Sequence, residues 1–259
     1  MTPRTNTGDQ LASQLLLGNA WAPVTNTLSF INAPLEVASD IWKEWEKSPV
    51  LERNLDVKKT HHHGGLHELL ETLLPLGDGT RKLFLETSNK DWTGVVSNSV
   101  GGSDLNSVLE VQYGQRQKIR SVIVTEIPHT LDKKNYEQHR GRYGVRSFTV
   151  RGPGGFVRSV RLVNEDKWVF YTTGSEPFDF ENTEAYRKSR KTERFTHEML
   201  LDYCHHLGIE PFNADFYVPN GLGILVESIV SYPVVERTLA EARAGNEDRS
   251  VPRPKRTTH

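Results

Sequence analysis

Apolar and polar positions alternate along this chain with a period that changes several times. Thr27 to Ile31 reads as a short strand. Leu35, Ala38, Ile41, Trp42 and Trp45 then recur at helical spacing, which predicts an amphipathic helix. Asn32 stands where an N-cap would, Pro34 falls in the first turn, and Pro49 closes the run. A second helix is predicted from about Leu66 to Leu74, ended by Pro75 and Gly77.

Strand patterns dominate the middle. Lys82–Glu86 and Trp92–Ser97 flank the polar turn Ser88-Asn89-Lys90-Asp91, and Ser121–Ile127 is apolar and β-branched. Ser103 or Asp104 can cap a short helix reaching Leu109. Ser147–Arg151, the turn Gly152-Pro153-Gly154-Gly155 and the returning Phe156–Val163 form the clearest hairpin signal. Asn164-Glu165-Asp166 turns the chain again into Trp168–Thr172. Short strands joined by tight turns imply an antiparallel meander over 146–173.

After Gly174 the pattern becomes helical. Thr183–Lys191 reads as a charged helix, and Thr196 caps another that carries Met199, Leu200, Tyr203, Cys204 and Leu207 on one face, with Gly208 as its stop. Phe216–Val218, the turn Pro219-Asn220-Gly221 and Ile224–Val230 suggest a second hairpin. A last helix is expected from about Val234 to Ala244. The expected fold class is α+β: a mostly antiparallel sheet with helices packed on one side. The expected organisation is a flexible N-terminus over 1–14, a single domain over 15–245 and a disordered basic tail over 246–259. Whether 112–147 is ordered is left open by a stretch with one good strand.

Composition adds a compartment. The chain has 259 residues, 36% of them hydrophobic and 25% charged, which suits one sizeable core. A single cysteine, Cys204, allows no internal disulfide. With no long apolar run and no signal-peptide plan, the expectation is a soluble cytoplasmic protein without membrane contact.

Charge changes the picture more. Residues 131–164 hold 8 Lys+Arg against 2 Asp+Glu, whereas residues 165–243 hold 8 against 14. The basic stretch and hairpin supply Arg140, Arg142, Arg146, Arg151, Arg158 and Arg161, with Tyr143 and Phe148 among them. Guanidinium forks suit carboxylate or phosphate. These arginines and Tyr143 are therefore the candidate partner- or anion-binding residues. Two readings compete with that: pairing with the acidic stretch inside the molecule, and dispersal, because Arg158 and Arg161 have opposite strand parity. The segment Arg140–Phe148 fails the RNP1 register, with Arg142 where an aromatic is required. Nucleic acid stays within the broad class of anionic partners.

Candidate chemistry is sparse. His61, His62, His63 and His67 cluster, and His63 and His67 are the weak metal candidates. Gly64 and Gly65 separate them, so a polar histidine-bearing loop is the expected form, with no metal and no cofactor. His205 and His206 suit a helix C-terminus, and Cys204 a packed thiol. Neither Gly101-Gly102-Ser103-Asp104 nor Gly152-Pro153-Gly154-Gly155 has phosphate-loop spacing, and no hydrolase or kinase signature occurs. The expected function is a non-enzymatic binding protein that meets an acidic or anionic partner, a macromolecule or a smaller anion, through the Arg-rich hairpin. The alternative is an enzyme on an anionic substrate, with Arg140, Arg142 or Arg146 orienting it. His139 or a histidine of the 61–67 cluster would then serve as acid–base group. A concave site where titratable groups converge would separate the two.

Overall fold

The computed structural model describes residues 7–47, 56–102, 119–131, 138 and 140–247. Among these residues nine strands form one antiparallel sheet, an α+β arrangement. In chain order they are β1 (Thr27–Ile31), β2 (Asp56–Gly64), β3 (Arg81–Glu86), β4 (Thr93–Ser97), β5 (Ser121–Ile127), β6 (Val145–Arg151), β7 (Val157–Glu165), β8 (Lys167–Gly174) and β9 (Gly221–Ile229). The order across the sheet is β2-β9-β3-β4-β1-β5-β6-β7-β8. The meander β6-β7-β8 is the one the turn signals indicate, and β5 extends it by pairing with β6.

The described helices are α1 (Thr7–Ala12), α2 (Leu35–Glu46), α3 (Leu66–Glu71), α4 (His197–His206) and α5 (Leu239–Glu247). They occupy both faces of the sheet, not one. On the first face Phe30, Leu83, Val124, Phe148 and Val160 pack with Leu70 of α3 and with Leu200 and Tyr203 of α4. On the second face Ile31, Phe84, Val95, Ile224 and Val226 pack under Ala38 and Trp42 of α2. The reason lies in the central strands. Leu83-Phe84-Leu85 and Ile224-Leu225-Val226 are apolar at consecutive positions and buried throughout, so both faces must be covered.

Several local expectations are corrected. Asn32 does not cap α2, because its amide donates to the Asp91 carbonyl while Pro34 precedes the first helical residue. Thr183–Lys191 is not a helix: it holds a 3-10 turn at Ala185–Arg187, and the chain extends at Lys188 and Arg190. Only Ala185 and Tyr186 of that stretch reach the core, too few for a helical stripe. The Phe216–Val230 hairpin does not form either. Val218 donates to the Glu86 carbonyl, and β9 pairs with β2 and β3. The last helix begins at Leu239, because Arg237 bonds the backbone of Leu76. The histidine stretch is not a loop but part of edge strand β2, paired with β9.

The expected helix after Ser103 and the closing Pro49 lie outside the described residues. Thr196 and Gly208 do bound α4: the Thr196 hydroxyl accepts from the Met199 N–H, and Gly208 has φ +74. Cys204 is fully buried, and burial pushes its thiol pKa up, as a packed, unreactive thiol requires. Among the described residues no helix is long and apolar enough to cross a membrane.

Candidate functional site

Register brings the first two groups together. β5 pairs β6 so that Glu126 lies directly opposite Arg146. Parity puts both on the first face, with Val122, Val124, Phe148 and Val150, where bare charges are costly. The two satisfy each other. Arg146 Nε and Nη2 donate to the two Glu126 oxygens, each at 2.7 Å, and Nη1 donates to the Phe195 carbonyl at 2.8 Å. The Phe195 bond fixes the start of α4, because the next residue is its cap, Thr196.

The first helical residue of α4 is His197, whose Nδ1 lies 3.5 Å from Glu126 Oε2. A carboxylate only accepts, so this orientation places the imidazole proton on Nδ1 and leaves Nε2 with its lone pair. The distance is at the outer limit of a hydrogen bond. The ring stacks on Phe212, with centroids 5.7 Å apart and planes at 22°. The adjacent Glu198 has its carboxyl pKa held below the usual value by its own backbone N–H and then by the Thr196 hydroxyl.

A second histidine faces the same space. His129, just beyond β5, accepts at Nδ1 from the Gly144 N–H at 3.2 Å, so its neutral form carries the proton on Nε2 as a donor. It meets Trp168 of β8 edge-on at 5.4 Å. Gly144 is required there, because a Cβ would stand 2.5 Å from the Trp168 ring and 2.8 Å from His129 Cβ. Burial pushes the His129 pKa down. On acidification the unfolded chain takes up this proton first. The stability it contributes is complete above the unfolded value, about 6.5, and is lost as pH falls through it toward the folded value. The expected result is a Tm that falls more steeply in wild type than in His129→Gln between about pH 7 and about pH 5. The lowered carboxylates Glu36, Glu86, Glu198 and Glu241 act only below about 4.5.

Together these groups line an open cleft of about 510 Å³. Its floor is Glu126, Arg146 and Leu162, its walls include His129, Trp168, His197 and Glu198, and Arg190, Thr192 and Gln14 stand at its margin.

The other sequence candidates are scattered. Arg140 is exposed, Arg142 donates to Asn26 Oδ1, and the Tyr143 hydroxyl donates to Asp166. Arg158 is buried against Glu181 on the first face. Arg151 and Arg161 lie on the second face, Arg161 over the Tyr171 ring at 5.6 Å. His139 lies outside the described residues. His63 sits on β2 and His67 on α3, where His67 is 3.5 Å from Glu71. His61 instead bonds Glu36 at 2.7 Å. Among the described residues no group of three or more His, Cys, Asp or Glu is placed to hold a metal ion.

Of the cleft's central groups, sequence reasoning singled out Arg146 alone and missed Glu126, His129 and His197. One signal for Glu126 was available: a carboxylate that shares strand parity with Val122 and Val124 must find a cation. No family model, no curated protein and no solved structure matches the chain.

Proposed function

We propose that the protein is an enzyme that performs acid–base chemistry on a small anionic substrate in this cleft. The observation that carries the reading is the convergence of Glu126, Arg146 and His197 on the floor and wall of a concave site. His197 Nε2 takes a proton from a bound hydroxyl or water: the O–H bond breaks, the N–H bond forms, and the proton returns to the leaving or product oxygen. Glu126, clamped by Arg146, orients the ring and stabilises the imidazolium. Arg190 and the His129 Nε2–H receive the substrate's anionic group, while Trp168 offers a flat wall. Glu198 accepts from a substrate donor.

The test is a panel of small carboxylates and phosphates, followed through the histidine NMR signals and by mass spectrometry of the mixture. Binding should move His129 and His197 together, and His197→Gln should bind the same compound without converting it. If no compound moves these signals, or if His197→Gln converts as fast as wild type, the reading fails.

A second reading, a binding protein for an acidic partner, is favoured by the second face of the meander. Arg151, Arg161 and Tyr171 share that face with Val169, and Tyr171 and Val169 are exposed large apolar side chains. It predicts that Arg151→Glu/Arg161→Glu elutes from heparin at clearly lower salt than wild type. Unchanged elution removes it.

A further inference from the structure

A second cavity, about 430 Å³, adjoins the cleft, and the two share Gln14 as a lining residue. They also share a helix. Glu198 lines the cleft, and Leu201, Asp202 and His205 line the second cavity. Those positions are three, four and seven residues further on, so they form one stripe of α4. The groove therefore begins about one turn, roughly 5 Å, beyond Glu198. Phe212 is the other link, since it stacks on His197 and lines the groove.

The groove's chemistry differs from that of the cleft. Leu201 and Phe212 offer an apolar surface, and the buried Ile209 and Pro211 also line the groove. Of the polar groups around it, Glu210 and Asn213 are engaged with each other. Asn213 donates to Glu210 at 2.6 Å and accepts from the Asp215 N–H, while Asp202 lies 3.8 Å from His206. Leu201 is 36% exposed and so is available to an apolar group.

We propose that this groove is the apolar subsite of the cleft, so that the substrate is amphipathic: an anionic head at Arg190 and His129, a reacting group at His197, and an alkyl or acyl chain against Leu201 and Phe212. The proposal rests on the cleft reading above. Its occupant follows from continuity: the groove shares Gln14 and α4 with the cleft, and Phe212, which stacks on His197, lines it.

The experiment is a homologous series of straight-chain carboxylates, acetate to decanoate, with matching monoalkyl phosphates, titrated against the full chain and monitored at the His129 and His197 signals. Affinity should rise about threefold to fourfold per methylene, the effect of burying one CH₂, and then level off once the groove is filled. Leu201→Asn, on the surface of α4 and outside the cleft, should leave the short acids unchanged and flatten the chain-length dependence.

The possible failures are distinguishable. Short acids that bind with no gain from added methylenes overturn the subsite and leave the cleft reading standing. A chain-length gain that Leu201→Asn does not reduce also overturns it, as non-specific adsorption. If no member of either series moves the histidine signals, the cleft reading fails and the subsite with it.

Discussion

Glu181→Ala is expected to unfold on the order of 10 °C below wild type, the equivalent of roughly 3–5 kcal/mol for a domain of this size. Glu181 is fully buried and accepts four hydrogen bonds. Arg158 Nε and the Phe178 N–H reach Oε1 at 2.9 and 3.0 Å, and Arg158 Nη2 and the Tyr186 hydroxyl reach Oε2 at 2.7 and 2.9 Å. The Tyr186 hydroxyl also meets that of Tyr203, which accepts from the Asn182 N–H.

Truncation strands a guanidinium whose side chain is 6% exposed, and an uncompensated buried charge costs far more than a lost surface pair. An arginine keeps its proton in a folded protein even without a carboxylate beside it, so the cation cannot escape by losing it. The damage also reaches the cleft. Glu181 ties the segment after Phe178 to β7 through Arg158, and that segment carries Arg190, Thr192, His197 and Glu198. Urea and thermal unfolding check the stability. Glu181→Gln should fall between the two, because it keeps the shape while losing the charge and part of the acceptor capacity. A loss below about 1 kcal/mol for Glu181→Ala would show that the network is incidental.

The strands were legible wherever period-2 alternation and tight turns coincide. β5 matches the sequence reading residue for residue, and the β6–β8 meander follows from Gly152–Gly155 and Asp166. Two kinds of element were not legible. β2 carries Val57 as its one buried apolar side chain, because an edge strand paired on one side has little to bury, and charge on an edge discourages further pairing. One of its lysines and one of its histidines are held by groups well away in sequence: Lys59 meets Glu36 and Asp40, and His61 meets Glu36. The sequence presents β9 as half of a local hairpin, but its partners are β2 and β3. Local turn chemistry at Asn220-Gly221 lost to long-range pairing that buries Ile224, Leu225 and Val226.

The candidate site was legible in proportion to strand parity. Arg146 shares a face with Phe148 and Val150, as Glu126 does with Val122 and Val124, so each strand announces a buried charge without naming the other. His197 has no such signal. It follows a good N-cap, and its role depends on where the Arg146–Phe195 bond sets α4 against the sheet.

The same pair supports a prediction that separates stability from function. Arg146→Met should cost roughly 3–5 kcal/mol, since it leaves Glu126, 1% exposed, without its cation. Glu126→Leu should cost a similar amount by stranding the guanidinium. The double variant Glu126→Leu/Arg146→Met should regain most of that loss, because packed apolar groups of similar volume often replace a buried pair at little or no cost. A residual deficit of about 1 kcal/mol is expected from the Phe195 carbonyl, which loses its donor. Unfolding of all four proteins yields the coupling energy directly. The double variant should nevertheless lose the chemistry of the cleft. His197 Nδ1 would face a leucine, its tautomer would no longer be set, and its imidazolium would have no carboxylate beside it. A stable but inactive double variant would mean that Glu126 and Arg146 serve the histidine and not the fold. If the double variant is as unstable as the worse single variant, the pair is a structural support for α4 and the acid–base reading loses its main argument.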